Sequence, residues 1–226
     1  MSQQRAARVM TARHRRRRRG TGDVTGGTGG AEGNERLTTM TGAVLLVLFA
    51  AEGITIASVH KLLTLHFFIG MLVVGPVLLK IGSTGYRFAR YYTGAVPYVR
   101  KGPPAPLMRL LGPVVVLTSC GVIGSGIALA FAGPGNGPWL IAHKALFVLW
   151  FGAMTIHVLA YAPRLARLGW RIAAGNRQRG VAGGNDGGGT AVEGSAARWL
   201  LLAAALAVGL ILAALTVHLT GPWQAS

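Results

Sequence analysis

Residues Trp139 to Pro163 have the sequence WLIAHKALFVLWFGAMTIHVLAYAP, an almost wholly apolar run that is long enough to cross a membrane as one helix. The run carries two histidines, His143 and His157, fourteen residues apart. Fourteen residues are close to four helical turns, so both imidazoles leave the same face, about 40° apart around the axis and roughly 21 Å apart along it. The pair would therefore stand near the two edges of a hydrocarbon layer about 30 Å thick. Ionisable side chains inside a spanning helix are costly, and they usually face the bundle interior and have a function.

The composition is typical of a membrane protein. Of the 226 residues 51% are hydrophobic and only 13% are charged, against roughly 25% in soluble domains. The chain has 23 lysines and arginines against 6 acidic residues, but they cluster in the N-terminal tail and between the apolar runs, where membrane topology explains them. We therefore expect no nucleic-acid partner. The single cysteine excludes both an intramolecular disulfide and an iron–sulfur cluster held by thiolates of this chain.

Five apolar segments are long enough to span a bilayer, so we predict an all-α integral membrane bundle of five transmembrane helices. The helices are expected at about residues 37–59, 60–81, 107–132, 139–163 and 198–219. The arginine-rich segments all fall on the cytoplasmic side if the N-terminus is inside the cell, which leaves the C-terminus outside. The chain is thus expected to be a multi-pass protein of the inner (cytoplasmic) membrane, with the lipid bilayer as its first partner.

This topology divides the chain into four parts. They are a disordered basic and glycine-rich cytoplasmic tail (1–36), a four-helix membrane core (37–162) with a cytoplasmic loop (82–106), a basic and glycine-rich cytoplasmic linker (163–197), and a fifth helix with a short outer tail (198–226). The basic segments either attract anionic lipid or serve only as topology signals. The loop also interleaves aromatic residues with its arginines, which favours an interfacial aromatic belt, or a docking surface for a cytoplasmic partner protein, a quinone headgroup or lipid.

The second apolar segment repeats the spacing of the fourth with one change. His66 is followed fourteen residues later by Lys80, where the fourth segment has its second histidine. Gly70 lies one turn after His66 on nearly the same side, which would open room beside the imidazole for a flat macrocycle. His60 cannot share a face with His66, because the two differ by six residues. Pro76 predicts a kink between His66 and Lys80.

The second and fourth segments run in the same direction, which puts His66 and His143 at the same depth in the outer half. They form the best pair in the chain for two axial ligands of a haem. His157 lies near the inner side with Lys80 across from it, and an amine can bind iron only after it loses its proton. A second haem there is less favoured than a hydrogen-bonding or lipid-facing His157. His60 and His218 lie nearer the outer surface, where they could bond haem propionates, line a quinone pocket or replace one ligand.

Glu52, in the second half of the first segment, is the one acid within the spans. A buried carboxylate must be protonated or paired. Its candidate partners are His60 and Lys61 at the turn, or a histidine of a neighbouring helix. It is either a proton-active group near a redox site or part of an interhelical hydrogen bond.

On these residues the chain resembles the membrane b-type cytochromes, in which a four-helix core holds one or two haems between histidines of two helices. His143 and His157 match that family's paired histidines, and His66 with Gly70 matches its ligand-plus-glycine pattern, whereas Lys80 stands where a fourth ligand would be. The resemblance covers roughly residues 40–162. It implies one haem b on His66 and His143, and electron transfer that links quinone, or a redox partner protein at the outer or cytoplasmic face, to another acceptor. The chain would then be the membrane subunit of an oxidoreductase, with no catalytic side chain of its own.

The alternative is a cofactor-free membrane protein, either a small proton-coupled transporter or an accessory scaffold. In that case the ionisable residues of the spans would form a proton or ion path; they are Glu52, His60, His66, Lys80 and His143. Five spans without paired broken helices argue mildly against a secondary transporter.

Overall fold

Helices make up almost all of the chain that the structure describes. The structure, a computed structural model, describes residues 30–100, 102, 106–181 and 195–224, and for residues 163–181 only the backbone. In chain order the elements are α1 (Ala31–Ala57), α2 (Val59–Leu72), α3 (Val74–Tyr92), α4 (Val96–Val99), α5 (Pro106–Ala132), α6 (Gly137–Val181), α7 (Ser195–Thr216), a 3₁₀ turn (Val217–Thr220) and α8 (Gly221–Gln224). No strand occurs in these ranges, so the all-α prediction is confirmed for them.

Five stretches are long and apolar enough to cross a membrane, as predicted. They are Ala31–Ala57, Val59–Tyr92, Pro106–Ala132, Gly137–Ala162 and Ser195–Gln224. The chain is thus a multi-pass helical membrane protein. The bundle has two ends, which we name by their connections. The short-turn end holds Ser58, the turn at residues 133–136 and residues 217–224, and the long-connection end is where α3 ends and α5 begins.

Three helices extend beyond their predicted bounds. α1 begins at Ala31, inside the segment predicted as a disordered tail, of which residues 1–29 lie outside the described residues. α3 continues to Tyr92, through half of the predicted loop 82–106. α6 continues to Val181, well into the predicted linker 163–197, of which residues 182–194 are not described. The predicted bounds followed the ends of the apolar runs, but leucine, alanine and arginine, which dominate residues 164–174, are strong helix formers whatever their polarity.

The second span is broken at Val73, between α2 and α3, three residues before Pro76. A proline has no amide hydrogen, and its ring clashes with the carbonyl four residues earlier, here that of Leu72. The missing hydrogen bond accounts for the interruption, but Val73 keeps helical dihedral angles (φ −70°, ψ −16°), so the kink at Pro76 stays a prediction. The residue with non-helical angles inside α2 is Leu62 (φ −113°, ψ 20°).

α7 crosses the second span beside Pro76, with backbone against backbone. A Cβ built on Gly75 would fall on the carbonyl oxygen of Ala205, and one built on Gly209 would fall on the carbonyl oxygen of Leu72. Ala213, one turn further along α7, is completely buried. Ala205, Gly209 and Ala213 stand four residues apart on one face of α7, and this face packs against the second span around Pro76. Only glycines permit this approach, because any side chain would displace a main-chain carbonyl.

The helices pack as two groups. α1, α2, α3 and α7 pack against one another, and α5 and α6 form an antiparallel hairpin. Two contacts hold the hairpin together. A Cβ on Gly121 would lie only 3.0 Å from Leu146 Cδ2, so the helices approach closely there. The indole N–H of Trp150 donates to Ser119 Oγ at 3.0 Å in a buried position.

Apolar side chains join the two helix groups about halfway between the two ends of the bundle. The rings of Phe49 and Trp150 meet edge to face with their centroids 4.8 Å apart. Ile123 of the hairpin packs against a core contributed by the first group; its buried members are Leu45, Ile69, Val73 and Val77. This layer separates the polar residues of the short-turn end from those of the long-connection end, so the two sets form distinct sites.

Candidate functional site

A contact between a carboxylate and an imidazole links α1 and α2 near the short-turn end. His66 Nδ1 lies 2.9 Å from Glu52 Oε1. Thr55 Oγ1, also 3.1 Å from that nitrogen, donates its own hydrogen to the main-chain oxygen of Glu52 at 2.6 Å. Because the hydroxyl hydrogen is already used, the ring nitrogen must be the donor to Thr55. We therefore assign the hydrogen to Nδ1, which in the neutral ring leaves Nε2 with a lone pair.

The hairpin around Ser58 explains why these side chains meet. Glu52 precedes Ser58 by six residues, and His66 follows it by eight, so the two stand at nearly the same height on antiparallel helices. This confirms one of the predicted partners of Glu52, a histidine on a neighbouring helix. The carboxylate also uses the space at Gly70, where a Cβ would lie 3.4 Å from Glu52 Oε1. The room predicted there for a macrocycle is thus beside the Glu52–His66 contact, and the carboxylate borders it.

His143 is held in a similar way between the helices of the second group. Its Nδ1 lies 3.0 Å from Ser125 Oγ, and that hydroxyl donates to the main-chain oxygen of Val122 at 3.1 Å. By the same argument Nδ1 carries the hydrogen and Nε2 keeps its lone pair. A Cβ on Gly126 would come within 3.0 Å of the ring at Cε1, so this glycine lets the imidazole lie close against α5.

The two histidines that the sequence predicts as a pair belong to different helix groups. His66 of the first group and His143 of the second lie within electrostatic range, so that two protonated rings would repel each other. In each ring Nδ1 is engaged, and within the described part of the chain no hydrogen bond to Nε2 is found. Each ring is thus held through Nδ1 by side chains of its own helix group.

Lys80 and His157 form a second cluster toward the long-connection end. Lys80 Nζ donates to the main-chain oxygen of Thr38 at 2.6 Å. It lies over Gly42, where a Cβ would come within 2.9 Å of Nζ. Lys80 is within electrostatic range of His157, across from which it was predicted, but its amine is bonded to α1. The Nδ1 atom of His157 is buried and has no hydrogen-bond partner among the described residues.

The remaining histidines of the described chain, His60 and His218, are exposed at the short-turn end. Within the described ranges no group of three or more His, Cys, Asp or Glu side chains is placed to hold a metal ion. A haem needs only two protein ligands, so it does not require a group of three such side chains.

The sequence interpretation missed Thr55, Ser125 and Gly126, which position the two histidines. The distances of Ser125 and His143 from the turn between their helices could have indicated this contact. Ser125 precedes Pro134 by nine residues and His143 follows it by nine, which predicts equal height in an antiparallel hairpin. Ser125 also stands four residues after Gly121, a small-residue pattern that lets another helix or a cofactor approach closely and that does not point to a hydrogen bond.

No protein-family description, curated protein or solved structure matches this chain. The class is therefore defined by the fold and site alone. It is an all-α membrane protein with five helices able to span the bilayer, in which two histidines of different helix groups are hydrogen-bonded to neighbouring side chains.

Proposed function

We propose that this protein is a membrane haem-b electron-transfer protein in which His66 and His143 are the axial ligands of one haem. The observation that carries the proposal is the hydrogen bonding of the two rings. Each Nδ1–H has an acceptor, the Glu52 carboxylate for His66 and the Ser125 hydroxyl for His143. In each neutral ring Nε2 therefore keeps a lone pair that can bind iron. Metal-binding histidines almost always donate their other N–H to a carboxylate, a backbone carbonyl or water in this way.

The donor set fits a haem of the b type. Two neutral imidazoles on opposite helix groups supply two axial ligands, and the haem iron, when bound, accepts and releases one electron. The chain's own residues orient the rings and keep water away. Glu52 makes the His66 ring more electron-rich than Ser125 makes the ring of His143, because a carboxylate is a stronger acceptor than a hydroxyl. The layer of Phe49 and Trp150 closes the interior toward the long-connection end.

The contacts of the second cluster favour a single haem. His157 has Lys80 opposite it where a histidine would be needed, and the Lys80 amine donates to the Thr38 carbonyl. A nitrogen that donates as an ammonium has no lone pair for iron. We therefore assign no second haem to His157 and Lys80.

The distribution of basic residues supports an N-terminus in the cytoplasm and a C-terminus outside, in the inner membrane. Arg87, Arg90 and Arg100 are exposed at the long-connection end, which would then be the cytoplasmic end. The proposed haem lies nearer the opposite, outer end. There the exposed His60 and His218 could contact quinone or an outer redox partner that exchanges electrons with the haem. This assigns the chain to the membrane subunit of an oxidoreductase.

A second candidate function rests on the contact between Glu52 and His66. A carboxylate and an imidazole 2.9 Å apart within a spanning bundle are suited to pass a proton, as a small proton-coupled transporter requires. Proton-coupled uptake in liposomes that depends on Glu52, by protein without haem absorbance, would favour the transporter.

An optical spectrum of the purified protein tests the proposal. The full-length chain, expressed in a haem-replete host, is expected to show a Soret band and a reduced-minus-oxidised alpha band. Colourless full-length protein from the same host would refute haem binding.

Replacing Glu52 by leucine is expected to weaken haem binding by about 10–100-fold, the usual effect of losing the group that orients a metal-binding histidine. Glu52→Gln keeps an acceptor oxygen and should lose less. Haem transfer to a scavenging apoprotein measures the dissociation rate of each variant. Glu32→Leu, at an exposed position of the same helix, is the control. Equal haem retention by Glu52→Leu and wild-type protein would show that Glu52 does not position His66.

A further inference from the structure

We infer that Lys80 and His157 bind the phosphate of an anionic membrane lipid. The first observation is an uncompensated charge. Lys80 is half-buried in a spanning helix, and its ammonium donates to the Thr38 carbonyl oxygen. The Glu52 carboxylate contacts His66, and no described carboxylate forms a salt bridge with Lys80. A cation within a spanning segment is costly without an anion, and a carbonyl supplies only a partial negative charge. The cluster therefore lacks a negative group.

The second observation is an unused hydrogen-bonding atom beside this cation. His157 lies within electrostatic range of Lys80, and its Nδ1 is buried with no partner in the described part of the chain. An ammonium and an imidazole N–H can donate together to a ligand with several acceptor oxygens on one centre. A phosphate has this geometry, and its negative charge supplies what Lys80 lacks.

The position of the cluster favours a lipid over a free ion. Along their own helices, Lys80 and His157 are each followed seven residues later by the next basic residue, Arg87 and Arg164 respectively. Seven residues of helix correspond to about 10 Å. Both side chains therefore start about 10 Å deeper in the membrane than the next basic residue of their helix. Both side chains are half-exposed, and exposed apolar residues such as Ile156 adjoin them, so the cluster borders the bilayer. A lysine near the end of a span also extends its amine toward the headgroups.

The test compares nanodiscs of phosphatidylcholine with nanodiscs that also contain phosphatidylglycerol. Phosphatidylglycerol is expected to raise the thermal unfolding midpoint of the wild-type protein and to remain bound in native mass spectrometry. Lys80→Met and His157→Phe should each lower the retained phosphatidylglycerol by about tenfold or more, since each removes a bond to a charged group. Arg87→Gln, an exposed arginine on the same helix, is the matched control and should retain it.

The proposal is overturned if both cluster variants retain phosphatidylglycerol as wild type does, or if Arg87→Gln loses it equally. Stabilisation by inorganic phosphate in detergent that matches the effect of phosphatidylglycerol would overturn the assignment to lipid. If Lys80→Met does not fold, the test rests on the phosphatidylglycerol retained by His157→Phe compared with that retained by the wild-type protein. None of these measurements requires haem, so failure of the haem proposal leaves this one intact, and the reverse also holds.

Discussion

Replacing either His66 or His143 by alanine is expected to abolish the haem absorbance of the purified protein. Each residue would supply one of two axial ligands, and among the described residues no other histidine is hydrogen-bonded beside them. The alanine variants leave the polar partners Glu52 and Ser125 in place, so a folded but colourless protein is expected. Reduced-minus-oxidised spectra normalised to protein concentration measure the effect, and size-exclusion chromatography verifies folding.

His157→Ala and His218→Ala are the matched controls for that experiment. His157 lies in the cluster at the far side of the Phe49–Trp150 layer, and His218 is exposed in the 3₁₀ turn. Both variants should keep the full alpha band. A His143→Ala protein with an unchanged spectrum would contradict the ligand assignment, as would a His157→Ala protein that loses its spectrum entirely.

Replacing Gly75 or Gly209 by leucine is expected to prevent α7 from packing against the second span. The new Cβ would meet a main-chain carbonyl oxygen, which cannot move aside as a flexible side chain can. Overpacking of a core typically destabilises by about 1–3 kcal/mol, and a clash with backbone should reach or exceed the upper value. The loss of a monodisperse peak in fluorescence-detected size-exclusion chromatography, with a lower thermal midpoint, would reveal the effect.

Gly124→Ala provides the control for these substitutions. A Cβ at Gly124 meets nothing within 4 Å, so alanine there should leave stability unchanged or raise it by up to about 1 kcal/mol. A Gly75→Leu protein with the elution profile and thermal midpoint of the wild type would show that α7 does not cross the second span at this glycine.

The elements that the sequence predicted correctly depend on length and periodicity. Five apolar runs predicted five spanning helices, and the structure has them. The interruption of the second span falls three residues before Pro76. His66 and His143 were predicted as a pair because each lies a few residues into its helix and the two helices run in the same direction, and this pairing stays a prediction. Each of these inferences uses only distances along a helix, which the sequence determines directly.

The features that the sequence did not predict depend on how helices rotate against one another. Ser125 and Thr55 were not recognised as partners of the histidines, because spacing along one helix does not determine which neighbour a small hydroxyl meets. Gly75 lies beside the more conspicuous Pro76, and its contact with α7 requires knowledge of which helix crosses the second span there. The ends of α3 and α6 were placed too early because a change of polarity marks the membrane boundary, whereas helix formation continues beyond it.

The most direct test of the central claim is a pyridine haemochrome assay on the purified full-length protein, expressed as haem b per polypeptide. Ligation by His66 and His143, with Lys80 bonded to Thr38 at the second position, predicts a ratio of one. A ratio of zero in protein from a haem-replete host would contradict the claim that these two imidazoles hold a haem, and a ratio of two would contradict the assignment of a single site.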